Sequence, residues 1–98
     1  MTITKTVNET QLVVALEGRL DTTTAPELET VLKESLENTT DLVFDFEKLE
    51  YISSAGLRVL LATQKQMNGN GTMKVRHVCQ IVQEVFDVTG FTDILTIE

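Results

Sequence analysis

The sequence predicts an α/β fold, a mixed sheet of four to five strands with about three helices packed against it. Strand-like apolar runs alternate along the chain with segments whose apolar residues recur at helical spacing. The connections between the later strands are long enough to contain a helix, which makes those strands mostly parallel. Only Asn8-Glu9-Thr10 separates the first two strands, and a connection this short requires an antiparallel hairpin.

The first half of the chain contains this N-terminal hairpin and one helix. Strands are predicted over Thr2 to Val7 and Gln11 to Glu17, the second with apolar residues on both faces. A helix is predicted over Thr24 to Asn38, because Thr24 and Glu27 have capping-box spacing and Pro26 falls in the first turn. Its apolar face consists of Leu28, Val31, Leu32 and Leu36.

The second half continues the alternation. The pattern predicts a strand over Asp41 to Phe46, a helix over Ser54 to Met67, a strand over Thr72 to Val78, a helix over Gln80 to Thr89 ended by Gly90, and a possible edge strand over Ile94 to Ile97. The two later helices are expected to bury Leu57, Leu60, Leu61 and Met67, and Val82, Val85 and Phe86.

Length and charge limit the possible functions. The chain has 98 residues, enough for one domain over residues 1–98. Eight basic and fifteen acidic residues give a formal net charge of −7, which argues against direct binding to nucleic acid or to a membrane surface. The same charge favours a protein partner with a basic face.

The sequence also indicates a compartment. No apolar run approaches the ~20 residues that span a bilayer, and the first residues lack the pattern of a signal peptide. A lone Cys79 cannot form an internal disulfide. We therefore expect a cytoplasmic protein.

Two adjacent serines mark the most informative segment. Ser53 and Ser54 lie where an apolar strand region gives way to a helix-period pattern. The first N–H groups of a helix have no internal partner, and the helix dipole adds partial positive charge there. A hydroxyl at this point can cap the helix, or it can carry a phosphate that the helix terminus stabilises.

The residues around these serines resemble a known family. Ile52-Ser53-Ser54-Ala55-Gly56-Leu57-Arg58, after a strand that carries Asp45, is similar to the phosphorylation segment of the anti-sigma factor antagonists, single-domain bacterial members of the STAS group. Gly18-Arg19-Leu20-Asp21-Thr22 and Val85-Phe86-Asp87-Val88-Thr89-Gly90-Phe91 agree with the family in order and spacing. The resemblance extends over essentially the whole chain and implies a STAS-like domain.

The resemblance also implies a mechanism. The unmodified protein would bind an anti-sigma factor that is an ATP-dependent serine kinase, and thereby free a sigma factor for transcription. Phosphorylation would end the association, and a metal-dependent serine phosphatase would restore it. Ser54, two residues before Gly56, matches the modified serine, with Ser53 as the alternative. The partner-binding residues implied are Asp21, Thr22, Ser53, Ser54, Gly56, Leu57 and Arg58.

Several of these residues also have a structural interpretation. Asp21 can stabilise the turn before the first helix, and Gly56 can allow close packing. Asp45, a carboxylate that is costly to bury in an apolar run, is expected to accept hydrogen bonds from backbone N–H groups in the loop before Ser53. A contribution to recognition by the kinase is the alternative role of Asp45. Arg58 can be solvated, or it can pair with a carboxylate or with a phosphate on Ser54.

Catalysis and cofactors are not indicated. The sequence lacks a glycine-rich phosphate loop and a Gly-x-Ser-x-Gly elbow. His77 and Cys79 are close in sequence, but no other Cys or His exists to complete a metal site with them. Cys79 can instead cap the third helix or fill a gap in the packing. Two other functions stay open: a non-cycling STAS adaptor in a lipid-transport ATPase complex or a stress-sensing assembly, and a small-ligand site. The oligomeric state is expected to be a monomer or a weak dimer.

Overall fold

A computed structural model describes residues 1–98 and contains four strands and three α helices. The elements are β1 (Thr2–Asn8), β2 (Gln11–Leu20), α1 (Ala25–Ser35), β3 (Asp41–Ile52), α2 (Ser54–Asn68), β4 (Thr72–Arg76), α3 (Gln80–Thr89) and a 3₁₀ turn (Phe91–Asp93). None of the helices combines the length and the apolar character needed to cross a membrane.

The four strands form one mixed sheet in the order β1-β2-β3-β4. The β1 and β2 strands pair antiparallel, with Asn8 opposite Gln11 beside the turn, while β3 pairs parallel with both β2 and β4. The predicted fold class is confirmed, including its N-terminal hairpin and its parallel remainder.

The core lies on one face of this sheet. Alternate residues of β2 and β3, such as Val14 and Phe44, are fully buried, because successive side chains in a strand point to opposite faces. The helices contribute Leu28 and Leu32 from α1, Leu57, Val59, Leu60 and Met67 from α2, and Val82 and Phe86 from α3. Val31, Leu61 and Val85, which were predicted to be buried, are only partly buried at the margins of their helical faces.

The central strands are longer than predicted. The β3 strand continues to Ile52 instead of ending at Phe46, and β2 continues to Leu20. Charged residues interrupt the apolar pattern after Phe46, yet Leu49 and Ile52 remain buried. Two register shifts in the β2–β3 pairing, between Ala15 and Glu17 and between Gly18 and Arg19, allow the pairing to continue past this break.

The remaining differences lie at element ends. The α1 helix stops at Ser35, three residues before the predicted end. The β4 strand stops at Arg76, because His77 has a φ of 58° and leaves the extended conformation. No strand forms over residues 94–97: only Ile97 makes an isolated bridge, to Val75, since the chain turns at Leu95 to bury that side chain. The sheet therefore has four strands.

Candidate functional site

The start of α2 is held against the end of β2. Ser53 is the N-cap residue, and its backbone N–H donates to the carbonyl of Leu20 over 2.9 Å. The carbonyl of Ser53 then accepts the N–H of Leu57 over 3.0 Å, the first bond of the helix. Because Leu20 directly precedes Asp21, the serine segment and the Asp21 loop are neighbours at one edge of the sheet.

The two serine hydroxyls have different environments. The Ser53 hydroxyl is buried without a hydrogen-bond partner and does not cap the helix, although Ser53 occupies the N-cap position. Ser54, the first residue of α2, is exposed. The interpretation of these hydroxyls as helix caps is therefore wrong for Ser53, and Ser54 presents the accessible oxygen.

Gly56 and Leu57 lie beneath this surface. A Cβ added at Gly56 would come within 2.7 Å of Leu20 Cγ and 2.8 Å of Ile52 Cγ1, so the predicted close packing at Gly56 is confirmed. The Leu57 side chain belongs to the core. Of the predicted partner-binding residues, these two support the surface from inside and expose little of themselves.

The Asp21 loop is a hydrogen-bonded turn that leads into α1. Asp21 Oδ1 accepts the backbone N–H groups of Thr23 and Thr24 over 3.0 and 3.1 Å. The Thr24 hydroxyl accepts the N–H of Asp21 and donates to the carbonyl of Arg19. The predicted capping box of Thr24 with Glu27 is wrong, because the Thr24 side chain is already engaged within the turn.

This turn changes the acidity of Asp21. The hydrogen bond from the Thr24 N–H lowers the pKa of the Asp21 carboxyl, and it is the largest single effect. Desolvation raises this pKa, but smaller contributions from the Thr23 N–H, the Thr24 hydroxyl and the Arg19 charge lower it further, so the net pKa is below its usual value. Asp21 therefore has the predicted structural role of fixing the turn.

Two arginines lie at the site, and only one of them pairs with another charged side chain. Arg19 lies 4.3 Å from the centre of the Tyr51 ring and 3.9 Å from Asp21 Oδ2, so its position is held. Arg58 is exposed, one helical turn after Ser54, and forms none of the ion pairs in the molecule. The exposed residues of the site are Thr22, Ser54 and Arg58, with Asp21 half-buried beside them, and the Arg58 side chain forms no ion pair.

Asp45 does not belong to this site. The segment before Ser53 is the continuation of β3 and not the predicted loop, but the predicted hydrogen bond from a backbone N–H of this segment is present, because Asp45 Oδ1 accepts the N–H of Glu47 over 3.1 Å. Asp45 Oδ1 also lies 3.0 Å from Nδ1 of His77, and Oδ2 lies 3.9 Å from Arg76.

The new neighbours of Asp45 also set its acidity. Burial raises the pKa of the Asp45 carboxyl, but the Glu47 N–H and the hydrogen bond and charges of His77 and Arg76 together lower it below its usual value. This arrangement was not predicted, because the metal site considered for His77 contained only histidine and cysteine ligands and no carboxylates. The signal available was the position of Asp45 and His77 near the C-terminal ends of two consecutive predicted strands, over residues 41–46 and 72–78.

Comparisons with known proteins agree with this architecture. The sequence model of the STAS domain matches residues 2–98. The anti-sigma-B factor antagonist of Bacillus subtilis is 31% identical over 91 residues, which covers 92% of this chain and 84% of the relative.

Two solved structures share the fold. An anti-sigma factor antagonist from Mycobacterium paratuberculosis superposes with a TM-score of 0.89 at 24% identity, covering 98% of this chain and 83% of that one. The Bacillus cell fate determinant SpoIIAA in its phosphorylated form gives a TM-score of 0.77 at 17% identity, covering 99% and 91%. From the match over residues 2–98 and the similarity to the Bacillus subtilis relative, the chain belongs to the STAS domain family, among the anti-sigma factor antagonists.

Proposed function

We propose that this protein releases a sigma factor by binding an anti-sigma factor that is also an ATP-dependent serine kinase. Phosphorylation of Ser54 ends the association, and a metal-dependent serine phosphatase restores the binding form. The observation that carries the proposal is the exposed Ser54 hydroxyl at the start of α2, next to a buried Ser53 hydroxyl and beside the Asp21 loop.

The physical effect of phosphate at this point supports a switch. A phosphate adds roughly −1.5 to −2 charge and three acceptor oxygens. Within a protein interface it brings repulsion and desolvation, and a penalty of ~3 kcal/mol weakens binding about a hundredfold. The free N–H groups at the start of α2 tolerate the same charge, so the fold survives the modification.

Substitutions at Ser54 test the switch. Ser54→Ala keeps the surface neutral and cannot be phosphorylated, so we expect it to bind the cognate kinase persistently with ATP present. Ser54→Asp is expected to bind more weakly, although a carboxylate carries less charge and fewer acceptors than a phosphate. Isothermal titration calorimetry against the cognate kinase, with and without ATP, measures both effects.

Ser53→Ala is the matched control. Its hydroxyl is buried and unpaired, so this variant should still be phosphorylated and should lose affinity on modification as the wild type does. Peptide mapping that places the phosphate on Ser53, or on Thr22, Thr23 or Thr24, would contradict the assignment of Ser54. Equal affinities of the wild-type, alanine and aspartate forms would favour the adaptor function instead, because an adaptor does not depend on this hydroxyl.

A further inference from the structure

A second group of functional side chains lies away from the serine site, where β4 ends beside β3. Asp45 pairs in register with Arg76, the last residue of β4. His77 then turns back through its left-handed backbone conformation and brings its ring to the Asp45 carboxylate. Glu47, two residues after Asp45, supplies a second carboxylate. One ligand atom from each of Asp45, Glu47 and His77 lies within 4.8 Å of the others, and we name these three residues the Asp45 cluster.

The donor set of the Asp45 cluster matches one class of metal ion. An imidazole nitrogen with two carboxylate oxygens suits Zn²⁺ and similar transition metals, whereas Mg²⁺ and Ca²⁺ prefer oxygen ligands alone. The 3.0 Å between Asp45 Oδ1 and His77 Nδ1 needs to widen only to about 3.4 Å, the separation of two ligands that share one tetrahedral ion at ~2.1 Å. Three protein ligands would leave a further position for water, as in open zinc sites.

Neighbouring groups hold the Asp45 carboxylate in place. Arg76 approaches Oδ2 to 3.9 Å, whereas His77 and the Glu47 N–H both contact Oδ1. Contacts of this kind orient a metal-binding carboxylate from outside the coordination shell. Oδ1 is already next to the imidazole, so a metal ion would replace only the hydrogen bond between His77 and Asp45.

From this geometry we propose that Asp45, Glu47 and His77 bind one divalent transition-metal ion of the Zn²⁺ class. The ion would join β3 to the segment between β4 and α3, at a place that none of the predicted partner-binding residues occupies. The proposal is independent of the proposed function, because it depends neither on Ser54 nor on a kinase.

Titration of the full chain with Zn²⁺ tests the site directly. The protein contains a single histidine, so ¹⁵N chemical shifts of the imidazole report on His77 alone. We expect one Zn²⁺ per chain by calorimetry, a shift of the bound imidazole nitrogen, and no such shift with Mg²⁺. Absence of Zn²⁺ binding, or binding that leaves the imidazole signals unchanged, would overturn the proposal.

Two variants locate the ion within the cluster. His77→Asn removes the imidazole while keeping a residue that tolerates the left-handed backbone, and Glu47→Gln removes one carboxylate from an exposed position. Each is expected to weaken Zn²⁺ binding at least about tenfold, since loss of a partner outside the coordination shell already costs about 10–100-fold. Glu47→Gln also keeps the test valid if the His77 variant does not fold.

Two controls exclude other sources of binding. Glu50→Gln removes an exposed carboxylate from the same strand, and Cys79→Ser removes the nearby thiol, whose Sγ contacts the Leu49 carbonyl. Both should bind Zn²⁺ as the wild type does. Loss of binding in Cys79→Ser, or equal affinity in the wild type and Glu47→Gln, would show that the metal binds elsewhere on this acidic surface and would refute the site.

Discussion

At the scale of single residues, Gly56 determines how closely α2 approaches the sheet. The side chains that a Cβ would meet, Leu20 and Ile52, are fully buried and have little room to move. The first turn of α2, which carries Ser54, depends on this close packing for its position.

Gly56→Ala should therefore destabilise the protein. Overpacking a core costs about 1–3 kcal/mol, while the better helix propensity of alanine returns about 1 kcal/mol. We expect a net loss on the order of 1 kcal/mol in the free energy of unfolding, measured by urea denaturation. Gly69→Ala at the other end of α2 is the matched control, because nothing lies within 4 Å of a Cβ there. Equal stabilities of the two variants would contradict the packing argument.

The adjacent serines show what a local sequence can and cannot predict. The change from strand pattern to helix pattern was enough to place Ser53 and Ser54 at the start of α2. The burial of the Ser53 hydroxyl could not be predicted in the same way, because it depends on β2, more than thirty residues earlier, lying beside Ser53. The Asp45 cluster was missed for a related reason: it requires the register of β3 with β4 and the turn at His77.

At the scale of elements, the turn before α1 is a polar unit organised by Asp21. Its ionised carboxylate accepts two backbone N–H groups and lies near Arg19, the charged residue that faces it. The hydrogen bonds to Thr24 and Thr23 lower the pKa of Asp21 in the folded protein relative to its usual value.

This shift predicts the pH dependence of stability. Because the pKa of Asp21 is lower when the protein is folded, ionised Asp21 stabilises the fold above the usual carboxyl pKa of about 4, and this contribution is lost as the pH falls through the folded value. The stability difference between the wild type and Asp21→Asn should therefore be largest near neutral pH and shrink in acid, as measured by urea midpoints. Asp93→Asn, at a side chain without hydrogen bonds, is the control. A difference that grows in acid would contradict the role of Asp21.

The β3 strand shows why element ends were predicted less well than element types. Its apolar run stops at Phe46, and Glu47, Lys48 and Glu50 indicate a loop by composition. The strand continues because the register shifts in its pairing with β2 keep Leu49 and Ile52 directed into the core. The length of β3 therefore depends on its pairing with β2, a strand far away in the sequence. The local pattern of apolar residues is enough only to identify this segment as a strand.

At the scale of the whole molecule, stability should decrease from the centre of the sheet to its free edge. The β2 and β3 strands supply much of the core, whereas six of the seven residues of β1 are exposed and β1 pairs only with β2. Few buried contacts allow local opening without global unfolding.

Hydrogen exchange measured by NMR tests this gradient. We expect the β1 amides that donate to β2 to exchange fastest among the strand amides, and those between β2 and β3 to exchange only on global unfolding. The comparison is restricted to amides that are hydrogen-bonded within the sheet, because amides without a partner exchange fast in any strand. Equal protection of β1 and β3 would show that the sheet opens as one unit, or that β1 is covered in solution.

The order of strands in the sheet has a consequence for biosynthesis. The spatial order β1-β2-β3-β4 is also the order in which the strands leave the ribosome. Each new strand can therefore join the open side of a sheet that already exists, and no strand must insert between two earlier ones. The hairpin forms first, with the shortest loop to close, and each later addition brings its own crossover helix. The surface that carries Ser54 is completed only after β3 has docked, so this surface does not exist on a nascent chain before the central sheet is built.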